Sequence, residues 1–93
     1  PLSYNSIDLK DKLHKKIYEV AIRTLELCMH EHYEDCPWRE QALYAMDSRN
    51  QALCGYYGFG EYDFPESSLR LLALGLNDDG LLELCAPAKV AIT

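Results

Sequence analysis

The sequence lacks the features that mark membrane proteins, nucleic-acid-binding proteins and disulfide-framework proteins. No stretch approaches the roughly 18 consecutive apolar residues that read as a membrane span, and the opening PLSYNSIDLK has no apolar signal core. Nine Lys and Arg stand against fifteen Asp and Glu, for a formal net charge of −6, whereas phosphate binding needs clustered basic residues. The composition therefore predicts neither nucleic acid nor a membrane among the partners.

Cysteine is present without the spacing that a disulfide framework or a paired metal knuckle requires. Cys28, Cys36, Cys54 and Cys85 include no CxxC pair, so we expect buried free thiols. The 93 residues are 48% hydrophobic and 26% charged, which is typical of one small globular domain. The sequence begins at Pro1 without an initiator Met and stops on an apolar run, which suggests a single partial domain (1–93) cut from a longer protein.

Apolar residues at helical spacing predict three helices joined by short loops, an all-α fold. The first apolar stripe runs from about Asp8 to His30. The second helix is predicted from about Trp38 or Arg39 to Tyr57, because Pro37 disfavours helical geometry at the preceding residue and suits a first helical turn.

The third helix is predicted to begin in the segment DFPE. Asp63 or Phe64 would cap it, Pro65 lies in the first turn, and Glu66 stands three residues after Asp63 at capping-box spacing. The segment NDDG (77–80) predicts a turn, followed by a short irregular or extended C-terminal tail. The apolar stripes are wide, so their exposed faces could pair with missing chain or with a second copy in a homo-oligomer.

The segment EDCPWREQALYAMD (34–47) concentrates acidic residues around a predicted helix start. Asp35 precedes the predicted helix, Glu40 would lie in its first turn, and Asp47 would lie two turns further on the same face. One interpretation is structural, since carboxylates near a helix N-terminus stabilise the helix. The other is catalytic, since a glycosidase needs a carboxylic acid that protonates the leaving oxygen and a second carboxylate.

Neighbouring side chains fit the catalytic interpretation without establishing it. Trp38 and Tyr44 could stack on a sugar, and Arg39 could hold a carboxylate or a hydroxyl group. The residues alone leave both interpretations open.

Three other functions are compatible with parts of the sequence. Cys28, His30, His32 and Cys36 supply the thiolate and imidazole ligands that Zn²⁺ prefers, although their spacing is unlike that of the usual zinc motifs. Cys36 could act as a nucleophile if His32 or Arg39 activated it. The exposed helix stripes could instead belong to a non-enzymatic helical interaction module.

The segment DCPWREQALYAMD resembles the signature of the bacterial α-L-rhamnosidases, and the similarity extends over roughly Ile17 to Lys89. The family pattern is Asp-Cys-Pro-x-Arg-Glu-Arg-x-Gly-Trp-x-Gly-Asp. Six residues match at identical offsets: Asp35, Cys36, Pro37, Arg39, Glu40 and Asp47. Four positions differ from it: Gln41, Leu43, Tyr44 and Met46.

The resemblance implies a three-helix fragment of an (α/α)6 six-hairpin barrel from an inverting α-L-rhamnosidase. Glu40 would be the general acid, Asp35 and Asp47 would bind sugar hydroxyls, and the substrate would be a rhamnose-terminated carbohydrate. The catalytic base would lie downstream on another hairpin, so the 93-residue chain alone is expected to be inactive. No cofactor or metal is implied. The parent protein would be periplasmic or secreted, with a cytoplasmic location left open.

Overall fold

The computed structural model describes residues 3–86 as three helices and one small antiparallel sheet. The elements are α1 (Lys12–Leu27), β1 (Leu43–Tyr44), α2 (Ala45–Gly58), α3 (Asp63–Ala73) and β2 (Cys85–Ala86). The predicted helical fold is confirmed. Strands of two residues show no periodicity in a sequence, which is why the sheet was not predicted. The predicted tail is extended at Cys85–Ala86, and its remainder, 87–93, lies outside the described residues.

Helix α1 begins four residues later than predicted because Asp11 caps it. The Asp11 carboxylate accepts hydrogen bonds from the backbone amides of Leu13 at 2.8 Å and His14 at 3.2 Å. Only the C-terminal half of the apolar stripe is covered, at Ile22 and Leu25. Within residues 3–86, no helix is both apolar and long enough to cross a membrane.

The predicted start of the second helix is wrong, since α2 begins at Ala45 rather than at Trp38 or Arg39. The backbone groups that such a helix would need are bonded elsewhere. The Asp35 amide donates to the Ala42 carbonyl at 3.0 Å, and the next two residues form β1, which pairs antiparallel with β2. Residues 35–42 therefore form a closed loop, and Glu40 does not lie on a helix.

Helix α3 begins in the predicted segment DFPE, but Asp63 is its first residue rather than its cap. The Glu61 carboxylate accepts from the backbone amides of Asp63 at 2.7 Å and Phe64 at 3.3 Å. Asp63 itself lies inside the first turn, and Glu66 pairs with Arg70 at 2.7 Å. The predicted capping box is therefore wrong. Glu61, and not Asp63, accepts from the free amides of the first turn, and Glu66 pairs with Arg70.

The core lies where the loop after α1, β1 and α3 meet. Leu43 is fully buried, Tyr33 is 2% exposed, and the Phe64 ring contacts Tyr33 edge-on with a centroid distance of 4.8 Å. Leu25, Leu72 and Ala86 complete the buried cluster. Because Leu43 directly follows the loop 35–42, the core anchors the C-terminal end of that loop.

The predicted turn at 77–80 is confirmed. The Asn77 amide donates to Leu81 and the Gly80 amide donates back to Asn77, with Gly80 at a φ of +85°. That backbone conformation is one that glycine adopts without a steric penalty.

Candidate active site

The acidic residues of the sequence motif lie on or beside one loop, residues 35–42, here called the acid loop. Asp35 closes it from both sides, because its amide donates to the Ala42 carbonyl and its carboxylate accepts from the Ala42 amide at 2.9 Å. The Glu40 amide donates to the Cys36 sulfur at 3.4 Å, and the Gln41 side chain donates to the Pro37 carbonyl at 2.6 Å. The loop is thus ordered by bonds between its own residues.

Asp35 and Glu40 are neighbouring carboxyl groups that contact each other. Oxygen atoms of both side chains and the Cys36 sulfur lie within 4.8 Å of one another. Burial disfavours the charged form of Asp35, but hydrogen bonds from the Ala42 amide, from Glu40 and from Cys36 outweigh burial and lower the pKa of Asp35.

The pKa of Glu40 moves in the opposite direction. Its hydrogen bond with Asp35 is the main cause that raises this pKa, followed by desolvation and the charge of Asp35, while Arg39 opposes the shift. Glu40 is therefore the member that keeps its proton to higher pH, and Asp35 is the member that stays ionised. Environments that push two carboxyl pKa values apart are characteristic of acid–base sites.

Tyr44 and Asp47 flank this pair. Burial first, and then nearby negative charges that include Asp35, Glu40 and Asp47, raise the pKa of Tyr44. Asp47 is exposed in the first turn of α2, and its charge adds to the rise in the pKa of Glu40. The prediction that Glu40 and Asp47 share a helix face is wrong, because Glu40 precedes α2. Asp47 at the start of α2 is nevertheless close enough to the acid loop for its charge to raise the pKa of Glu40.

Trp38 and Arg39 project from the acid loop. Trp38 is 88% exposed, so its ring is free to stack on a ligand. The Arg39 Nε lies 3.4 Å from a Glu40 oxygen, but this ion pair is open to solvent, which screens the two charges and makes the pair weak. Arg39 can therefore turn toward a bound ligand at small energetic cost.

The predicted zinc ligands do not come together in the part of the chain that the structure describes. His30 pairs with the buried Glu34, and His32 bonds through Nδ1 to the Tyr33 carbonyl at 2.7 Å. The group close enough to hold a cation is instead Asp35, Cys36 and Glu40. Each of these already has a partner inside the acid loop, so we assign no metal to them.

The cysteines are free thiols, as predicted. Cys28 and Cys85 are buried, Cys36 is half-buried and Cys54 is exposed, so the predicted burial is confirmed at the first two and wrong at the other two. Burial raises the pKa of Cys28, and the nearby Glu34 adds to the effect, which makes this thiol a poor nucleophile. Cys36 accepts the Glu40 amide and has a structural role in the loop.

Within residues 3–86, one groove lies between α2 and α3 and another between α1 and α2, and Glu40 lies in the wall of neither. The groove between α2 and α3 encloses about 550 Å³ and is mostly apolar, with Leu53, Leu69 and Leu72 in its wall. The groove between α1 and α2 encloses about 660 Å³, and its wall includes Asp35. The acid loop is thus an open surface that touches a groove through Asp35.

Sequence reasoning missed the residues that give the acid loop its shape. Gln41 has a left-handed backbone, with a φ of +53°, and the Ala42 backbone bonds to Asp35 in both directions. Residue type predicts neither feature. Glutamine rarely adopts the left-handed conformation, and backbone hydrogen bonds do not depend on which side chain a residue carries. The available signal was Pro37, which indicated a loop at Cys36 but not its length.

A family of known proteins matches nearly the whole chain. The family model described as the bacterial alpha-L-rhamnosidase 6 hairpin glycosidase domain matches residues 4–93. No match was found among curated proteins or among solved structures.

Proposed function

Because the chain belongs to the bacterial α-L-rhamnosidase six-hairpin glycosidase family, we propose that its acid loop carries the general acid of an inverting α-L-rhamnosidase, with Glu40 in that role. Membership places the chain among glycoside hydrolases, whose substrates are carbohydrates. The specific reaction, the removal of terminal rhamnose, is our proposal. So is the larger architecture, in which residues 1–93 form a section of an (α/α)6 barrel.

The placement of the Glu40 carboxyl group beside Asp35, with oxygen atoms of the two side chains within 4.8 Å, carries this proposal. A general acid must hold a proton at the working pH and be able to reach the leaving oxygen. The shared hydrogen bond and the charge of Asp35 favour the protonated form of Glu40, and the exposed loop leaves Glu40 accessible. Asp35 remains ionised and can accept hydrogen bonds from sugar hydroxyls.

Asp35 is not a suitable catalytic base for the same bond. Inverting enzymes hold their two carboxyl groups about 6.5–9.5 Å apart, with the sugar and a water molecule between them. Asp35 and Glu40 interact directly, with oxygen atoms within 4.8 Å, so no glycosidic bond fits between them. The base must therefore come from another carboxylate.

No other carboxylate among residues 3–86 is assigned as that base. Glu61 is committed to the N-terminus of α3, and Glu66 pairs with Arg70. Asp47 adds to the field that favours protonated Glu40, and we propose that it binds a sugar hydroxyl together with Asp35. Trp38 and Tyr44 would form the stacking surface, and Arg39 would hold a ring substituent.

The test is hydrolysis of aryl and alkyl α-L-rhamnosides by the whole protein and its Glu40→Gln variant. Loss of the proton donor slows the reaction most when the leaving group is poor. We therefore expect the rate to fall about 10²–10⁴-fold on an alkyl rhamnoside and much less on a dinitrophenyl rhamnoside. Glu66→Gln, which removes an exposed carboxyl group on α3, is the matched control and should retain full activity. Equal losses on both substrates would remove Glu40 from the acid role.

A further inference from the structure

Gln41 is the non-glycine residue with a left-handed backbone among residues 3–86. Its φ is +53°, and the other positive values belong to Gly60 and Gly80. A residue with a side chain is uncommon in this region and is held there by its surroundings. The position of the strain is informative, because Gln41 directly follows Glu40.

The left-handed backbone of Gln41 reverses the chain direction directly after Glu40, which brings the following residue back to Asp35. After the reversal, the Ala42 amide and carbonyl reach Asp35 at 2.9 and 3.0 Å. The Gln41 side chain contributes separately, since its amide donates to the Pro37 carbonyl at 2.6 Å across the loop. Gln41 is exposed, so burial does not impose this bond. Backbone and side chain of one residue thus close the same loop around Glu40.

We propose that Gln41 is a positioning residue for Glu40: its left-handed backbone and its bond to the Pro37 carbonyl hold the Glu40 carboxyl group beside Asp35. Gln41 itself contacts no reacting atom. The catalytic consequence rests on the proposed function, whereas the placement of the Glu40 carboxyl group does not.

Three substitutions separate the two contributions of Gln41. Gln41→Asn keeps an amide and a residue type that accepts the left-handed region. Gln41→Met keeps the size but removes the donor to Pro37. Gln41→Val removes the donor and adds a β-branched side chain that disfavours the left-handed backbone. All three leave Asp35, Cys36, Arg39 and Asp47, the groups that face Glu40, unchanged.

Gly60→Val is the matched control for backbone strain. Gly60 has a φ of +64° and no atom within 4 Å of an added Cβ, so valine there brings a comparable conformational penalty away from the acid loop. It should lower Tm without changing catalysis.

The first readout is independent of activity. Amide hydrogen exchange at Ala42 and the pKa of the Glu40 carboxyl group, both by NMR, should change in the order Asn < Met < Val, with faster exchange and a pKa closer to that of an ordinary glutamate. Gly60→Val should change neither. If Gln41→Val does not fold, the Met variant decides. Unchanged exchange and an unchanged Glu40 pKa in the Met variant would overturn the inference.

The second readout is the kinetics of the whole protein on an aryl α-L-rhamnoside. Gln41→Met and Gln41→Val should lower kcat by about ten- to a hundredfold with little change in KM, because a misplaced acid affects the transition state more than binding. Gln41→Asn should keep most of the wild-type kcat. A wild-type protein without rhamnosidase activity would refute the proposed function, while the NMR readout would still decide the role of Gln41.

Discussion

At the scale of single residues, the site depends on how one carboxyl group changes the other. Asp35 receives an amide hydrogen bond that stabilises its charge, and that charge favours the protonated form of Glu40. Asp35 therefore has two roles, since it also closes the acid loop through Ala42. A substitution that removes the charge but keeps the acceptor separates these roles.

We predict that Asp35→Asn lowers the pKa of Glu40. The asparagine oxygen can still accept the Ala42 amide, so the loop persists, but the carboxylate that accepts the Glu40 hydrogen bond, and its charge, are gone. The alkaline limb of kcat/KM against pH should move to lower pH, because Glu40 is lost as an acid earlier. Asp78→Asn, in the exposed turn, is the control. An unmoved alkaline limb in Asp35→Asn would contradict the coupling.

The same shifts give the direction of the pH dependence of stability. Glu40 has a raised folded pKa, so its contribution is complete below its unfolded pKa and is lost as pH rises through the folded value. Asp35 has a lowered pKa, so its contribution is present above its unfolded pKa and is lost as pH falls through the folded value. Asp35→Asn should remove the dependence that comes from Asp35 and reduce the one that comes from Glu40, as measured by urea denaturation at a series of pH values that spans both pKa values.

At the scale of elements, the acid loop is held from its C-terminal side by the small sheet. Leu43 is completely buried and its backbone pairs with Ala86, directly after the residue that bonds to Asp35. The sheet is only two residues long, so side-chain burial must supply most of its stability.

We predict that Leu43→Ala destabilises the protein by about 2–5 kcal/mol, the range for truncating a buried leucine. Urea denaturation monitored by circular dichroism measures the change. Leu74→Ala is the control, because Leu74 is 83% exposed and its truncation should stay within about 0.5 kcal/mol. Similar small losses in both variants would show that Leu43 is not part of a packed core.

The helices could be predicted from the sequence, but the loop that forms the site could not. Apolar stripes located α1 and α3 within a few residues, because a helix that packs one face against a core needs apolar residues every three or four positions, and this spacing is visible in the sequence. The start of α2 lies six or seven residues after the predicted one, because the bonds of Asp35 and the pairing of Leu43 with Ala86 outweigh local helix signals. The motif predicted which residues form the candidate site, and this stays a prediction, while the geometry of the loop depends on Gln41 and Ala42.

At the scale of the whole molecule, much of the apolar surface on α1 is uncovered. Leu13, Ile17 and Val20 are each more than half exposed, although they continue the stripe that buries Ile22 and Leu25. Contiguous apolar surface of this kind is usually covered by another protein surface. That this surface pairs with further chain or with a second copy stays a prediction.

We predict that the 93-residue chain self-associates through this face. Its mass by size-exclusion chromatography with light scattering should rise with concentration, and Ile17→Lys should restore the monomer. Lys16→Ile, which enlarges the apolar face beside Ile17, should strengthen association. A monomer at every concentration would contradict the prediction.

The central claim is that the acid loop raises the pKa of Glu40 and lowers that of Asp35, so that Glu40 keeps its proton to a higher pH than Asp35 does. The most direct measurement is a site-resolved ¹³C NMR titration of both carboxyl groups in the wild-type protein. We predict that Glu40 titrates above the ordinary glutamate pKa of 4.5 and Asp35 below the ordinary aspartate pKa of 3.8. The reverse order, or a Glu40 that titrates at or below its ordinary value, would contradict the account.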